Sequence, residues 1–193
     1  KDENIYSLVK LNNFKSPSTV PHNYKVINLP RQFRSVPSIG SLFSHFTYDG
    51  ILEHDRKQNT HKQLKINGLN IQDINIVRFR VSPFDSIYRA KKLNYSSNYH
   101  IYSAIFTFEF VKYISDQIGN HYEGIYKIGV ICPYKAQASI VDKIFIAKKY
   151  SNPSVDIQVG TIHGFQGDEC DTVIALFNPP PYISDSHEMF LNK

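Results

Sequence analysis

The residues from Val159 to Asp171, Val-Gly-Thr-Ile-His-Gly-Phe-Gln-Gly-Asp-Glu-Cys-Asp, gather a dense set of polar groups in one short stretch. Thr161, His163, Gln166, Asp168, Glu169 and Asp171 offer a hydroxyl, an imidazole, a carboxamide and three carboxylates, with Gly160, Gly164 and Gly167 among them. Glycine lets backbone approach a ligand closely or take a positive φ. A second set is Gln32-Phe33-Arg34. A guanidinium fork matches phosphate oxygens and can stabilise charge in phosphoryl transfer. A third is Pro133-Tyr134-Lys135, a turn opening a helix. Such a turn offers free backbone N–H groups and a favourable dipole to phosphate, and Lys135 adds charge. Each set also has a plainer reading: a solvated strand-turn-strand tip, an arginine paired with a surface carboxylate, and a sheet-to-helix turn begun by proline. No Cys or His cluster has zinc spacing, and no carboxylate-and-lysine constellation marks a nuclease.

The elements that must hold these groups follow from periodicity. An apolar-alternating run (Val155, Ile157, Val159) enters the first set, and the mostly apolar run 172–177 leaves it. Residues 126–132, YKIGVIC, read as a strand buried on both faces. Residues 135–150 read as a helix through Ala138, Val141, Ile144, Phe145 and Lys148, broken by Ser151-Asn152-Pro153. Residues 102–118 are the clearest helix, ended by Gly119-Asn120. Upstream, residues 25–29 read as a strand ending at Pro30. A helix follows from Pro37, with Ile39, Leu42, Phe43 and Phe46 in register. Residues 75–81 alternate as a strand, 84–99 show no clear pattern, and 51–75 read as an exposed polar insertion. Residues 1–24 read as an N-terminal arm or linker ahead of a domain spanning 25–193. Strands alternating with helices predict an α/β fold with a mainly parallel sheet and helices on both faces.

These motifs resemble those of superfamily 1 helicases, and the chain is identified as similar to that family over residues 26–178. Phe165, Gln166, Gly167, Glu169 and Asp171 match its motif V, with His163 where the subgroup often has Asp. Leu29, Gln32, Phe33, Arg34, Pro37, Ile39, Phe43, Phe46, Tyr48, Gly50 and Leu52 resemble the segment opening the second core domain of the 1B type, with Phe33 in place of the usual Tyr. Val130 to Gln137 resembles the family's Val-Ile-Ser/Thr-Pro-Tyr-x-x-Gln junction. The resemblance implies a RecA-like P-loop NTPase fold and the second core domain of an ATP-dependent helicase. It implies that Arg34 is the catalytic arginine near the γ-phosphate and that Phe33 stacks near adenine. Gln32, Gln166, Gly167 and Glu169 would line the nucleotide, with Glu169 near the ribose. Thr161, His163, Pro133, Tyr134 and Lys135 would face single-stranded DNA or RNA.

A P-loop needs Gly-x-x-x-x-Gly-Lys-Ser/Thr. Gly119/Gly124 and Gly124/Gly129 have the spacing, but Ile125 and Val130 stand where Lys is required. No strand ends in the Asp-Glu pair that would hold magnesium, and the arginine-bearing motif VI is absent. The resemblance therefore implies half an ATP site and half a nucleic-acid track. ATP and Mg2+ would be held in an intact protein, with the first RecA-like domain of the same chain as partner. The chain alone would be inactive. The alternative is a non-catalytic nucleic-acid-binding module derived from a helicase domain.

Composition agrees with this and bounds it. The 193 residues suffice for a substantial core. A net charge of +5 and a pI near 9.1 are compatible with a polyanionic partner. Cys132 and Cys170 adjoin apolar runs and read as buried free thiols of a reducing compartment, the cytoplasm. No run approaches the ~18 apolar residues of a membrane span, and no signal-peptide core opens the sequence.

Overall fold

The structure, a computed structural model, describes residues 29–56, 64–67, 71–77, 90–93, 97–118 and 122–177. The expected arm of 1–24, most of the strand expected over 25–29 and the second half of that expected over 75–81 lie outside these. The chain divides into two compact units, Lys1–Asn59 and Thr60–Lys193.

The described residues of the first unit form a miniature β-α-β. Strand β1 (Arg31–Gln32) pairs in parallel with β2 (Glu53–His54), and helix α1 (Pro37–Thr47) connects them. Proline opens α1, where its missing N–H costs nothing. Asp49 (φ 52°) and Gly50 (φ 80°) end it in left-handed backbone, and the Gly50 N–H reaches the Ser44 carbonyl at 2.9 Å. Pairing in β1 starts just after Pro30, whose carbonyl accepts the Glu53 N–H at 2.6 Å. One expectation is corrected here. The span 51–75 is not all exposed loop: it contains β2, and Ile66, in the second unit, is buried in that unit's core.

The second unit is built on β5 (Tyr126–Cys132). It lies at the centre of a parallel sheet of order β6-β5-β7, with β6 at Val155–Thr161 and β7 at Thr172–Ala175. A separate antiparallel ribbon pairs β3 (Lys91–Leu93) with β4 (Ser97–Tyr99). The two long helices fall close to expectation, as α2 (Ile101–Ile118) and α3 (Lys135–Lys148). Residues 75–77 carry no strand.

The topology dictates which face does what. β6 and β7 flank β5 on opposite sides, and parallel crossovers are nearly always right-handed. The connections β5 to β6 and β6 to β7 must therefore cross on opposite faces. The first is α3. With α2 it shares one core with Tyr126, Ile128, Val130 and Cys132, alternate residues of β5. The Phe108 ring meets Phe145 edge-on at 5.0 Å between the two helices. Tyr126 is fully buried, and its hydroxyl meets Thr172 Oγ1 at 2.7 Å across the sheet. Burial pushes that phenol up to about 12.

The second connection is the polar stretch 162–171, which crosses β5 on the other face. Phe165 and Cys170 lie over Gly129 there. A Cβ at Gly129 would stand 2.9 Å from both Phe165 Cε1 and Cys170 Sγ. At Gly160 it would stand 3.0 Å from Phe165 Cε2. Both strand glycines are therefore the seat of one aromatic ring.

Two substitutions test that seat by urea unfolding. Gly160→Ala should destabilise by about 1 kcal/mol and Gly129→Ala by about 2 kcal/mol, as overpacking does. The Gly160→Ala loss should shrink in a Phe165→Leu background. Additive losses would place the strain elsewhere.

Candidate functional site

The stretch 161–171 is a braced turn. The Phe165 N–H donates to the Thr161 carbonyl at 3.2 Å, Gln166 N–H to His163 at 3.4 Å and Asp168 N–H to Phe165 at 3.1 Å. Gly167 takes φ 98°, a conformation that favours glycine. Gln158 Nε2 donates to Asp168 Oδ2 at 3.0 Å, tying the turn to β6. Entry to β7 is clamped twice: the Asp171 N–H donates to the Lys127 carbonyl at 2.9 Å, and the Lys127 N–H donates to Asp171 Oδ2 at 2.9 Å. Phe165 points into the sheet, while Gln166, Gly167 and Glu169 are exposed. The turn thus presents a carboxamide and a carboxylate on a fixed frame.

The nucleic-acid candidates meet at one edge. Cys132 pairs with Thr161, so 133–135 and 161–163 leave neighbouring strands side by side at their carboxyl ends. This is where open α/β sheets place ligands. Lys135 and His163 are exposed, and Pro133, Tyr134 and Thr161 are half-buried. The expectation of free N–H groups at the start of α3 needs correction, because the Ala136 N–H donates to Ser97 Oγ at 2.9 Å.

Sequence reasoning matched Gln137 to a motif but missed what it does. Its side chain is 0% exposed. Its Oε1 accepts the His100 N–H at 2.6 Å, and its Nε2 donates to the His100 carbonyl at 3.3 Å and to Ser103 Oγ at 3.2 Å. It fastens the β5–α3 junction to the start of α2. Its partners lie far away in sequence, so spacing gave no sign of them. Asp171 and the glycine seat were likewise visible as residue types but not as anchors.

Gln32, Phe33 and Arg34 belong to the first unit. Phe33 is 64% exposed, and Arg34 is exposed, with its carbonyl accepting from the Arg56 guanidinium. The Gln32 carboxamide is already engaged. It accepts the Ser35 N–H at 2.7 Å, donates to the Ser35 carbonyl at 2.9 Å and meets His54 Nδ1 at 3.0 Å. A Cβ on Gly40 would meet the His54 ring and, at 2.8 Å, Gln32 Nε2. Gln32 braces the turn that displays Phe33 and Arg34. An open pocket of about 330 Å³ adjoins it, lined among others by Gln32, Arg34, Phe43 and Tyr48.

Among the described residues no group of three or more His, Cys, Asp or Glu could hold a metal ion. No described helix is long and apolar enough to cross a membrane. Both cysteines are free. Burial pushes the Cys132 thiol up to about 12, and burial followed by the Asp168 charge raises Cys170. Neither is an activated nucleophile.

A family model described as an AAA domain matches residues 9–177. No curated protein matches the chain.

Two outcomes check the packing. Gln137→Leu should destabilise by about 2–3 kcal/mol, since it strands buried His100 and Ser103 groups. At pH 8, Ellman's reagent should modify Cys132 only once urea unfolds the chain. Rapid labelling of the native chain at Cys132 would contradict its burial.

Proposed function

The chain belongs to the AAA domain family, a helicase-related P-loop family of α/β fold, and from that premise we propose that it is the second RecA-like core domain of an ATP-dependent superfamily 1 helicase of the 1B type. The observation that carries this reading is the braced turn 161–171. Its half-buried Phe165, seated over Gly129 and Gly160, and its exposed Gln166 and Glu169 share a sheet edge with Pro133-Tyr134-Lys135.

In this reading Arg34 approaches the γ-phosphate and neutralises charge there. Phe33 stacks near adenine, held out by the Gln32 brace. Gln166 and the Gly167 backbone line the nucleotide, and Glu169 accepts from the ribose. Lys135, Tyr134, Pro133, Thr161 and His163 hold single-stranded DNA or RNA along the sheet edge. ATP supplies the phosphoryl group. The P-loop and the Mg2+ ligands come from the first RecA-like domain of the same protein, since this chain has no Gly-x-x-x-x-Gly-Lys-Ser/Thr. Two unpaired thiols fit a reducing compartment, the cytoplasm. That missing P-loop also keeps a second reading in play, a nucleic-acid-binding module without hydrolysis.

The test is ATP turnover by the full-length protein, with and without single-stranded DNA or RNA, beside Arg34→Ala. The motor reading expects polymer-stimulated turnover that falls about 10³-fold or more on substitution. It expects none from the 193-residue chain alone. Turnover indifferent to Arg34→Ala would remove that residue from the site. Full-length protein that binds polymer but never hydrolyses ATP would establish the binding module.

A further inference from the structure

Between Asp85 and Glu109 the sequence contains no acidic residue, yet it carries Arg89, Lys91 and Lys92 among several tyrosines. Bases interleaved with aromatics are the composition that single-stranded nucleic acid selects. The ribbon β3–β4 lies within this stretch, and all three residues of β3 are exposed, Leu93 to 51%.

The pairing register says which way the ribbon faces. Lys91 lies opposite Tyr99, and Leu93 lies opposite Ser97. Residues directly across an antiparallel pair share a face, as do alternate residues along a strand. Lys91, Leu93, Ser97 and Tyr99 therefore form one face. Ser97 Oγ on that face takes the Ala136 N–H at 2.9 Å, at the first turn of α3. The preceding residue is Lys135, which is exposed at the sheet edge. Lys91 sits roughly 7 Å along its strand from the residue opposite Ser97. Below the ribbon, Gln137 grips both backbone groups of His100. The ribbon is thus fixed to the Pro133–Lys135 turn by named hydrogen bonds.

We propose that the β3–β4 ribbon extends the nucleic-acid face, with Lys91 binding the phosphodiester backbone of the single strand that passes Lys135, while Lys92, opposite Asn98, lies on the other face. This rests on the reading given under Proposed function. A plainer account exists: lysines on an edge strand deter edge-to-edge pairing. It explains charge on the ribbon. It does not explain a stretch cleared of acid from Asp85 to Glu109, or the fastening of that ribbon to the start of α3. Among the described residues no carboxylate forms an ion pair with Lys91, Lys92 or Lys135.

The experiment is fluorescence anisotropy of labelled oligothymidylate and oligouridylate with the 193-residue chain across a salt series. The ribbon variants are Lys91→Glu and the milder Lys91→Gln, beside Lys135→Glu and Lys148→Glu at the far end of α3. Circular dichroism melts confirm folding. The ribbon variants should weaken binding about fivefold at low salt and flatten the slope of log K against log salt by about 0.7, one phosphate contact. Lys148→Glu should change neither. If the wild type binds and the ribbon variants keep its affinity and slope while Lys135→Glu loses affinity, the ribbon proposal is overturned and the sheet-edge reading stands. If the wild type binds neither polymer, the sheet-edge reading falls and the ribbon falls with it.

Discussion

The seating of Phe165 on two glycines is the contact on which the candidate site depends. A chain that must leave β6 and enter β7 has to cross β5, and a crossing strap needs an anchor. The ring of Phe165 supplies it, but only because β5 and β6 carry no side chain beneath. Any Cβ at Gly129 or Gly160 would push against the ring at 2.9 or 3.0 Å. Packed interiors respond to such a change by shifting a neighbour rather than by compressing. The neighbour here is the residue just before Gln166. The polar groups of the turn are therefore placed by an apolar contact, and the carboxyl–amide clamp between Asp171 and Lys127 only fixes where the strap ends.

The first unit uses the same device at smaller scale. Gly40 on α1 makes room for His54 and Gln32, and the Gln32 carboxamide then closes the turn that carries Phe33 and Arg34. The long side chain at position 32 is spent on its own backbone. Its neighbours at 33 and 34 are exposed on a turn that is held from within. Arg31 adds little to this, since its pairs with Glu53 and Asp55 are more than half exposed.

Much of the second unit could be read from sequence because its signals are local. Residues 126–132 form a near-continuous apolar run, and 102–118 keep a helical period, so both elements appear almost where periodicity puts them. β1 and β2 were missed because each has two residues and neither has an apolar period; what defines them is the pairing of Gln32 with His54 across the intervening helix. The motif residues announced themselves by type, yet the partners that give Gln137 and Asp171 their roles are distant in sequence. Gln137 reads as a motif glutamine until His100 is seen against it. Ser97 gave no signal at all, because a serine that caps a helix from another element resembles any loop serine.

The sheet also separates stability from chemistry. Ile128, Val130 and Val141 are fully buried on the helical side, and truncating such residues costs about 2–5 kcal/mol each. The opposite side is sparsely covered. Lys127, Asp156, Gln158 and Val173 are exposed, and the nearest groups over its glycines are Phe165 and Cys170. Exchanges at Gln166 or Glu169 remove no core contact, so the fold tolerates them within about 0.5 kcal/mol. The buried side sets the frame, and the strap on the other side is where selection for a ligand can act without unfolding the domain.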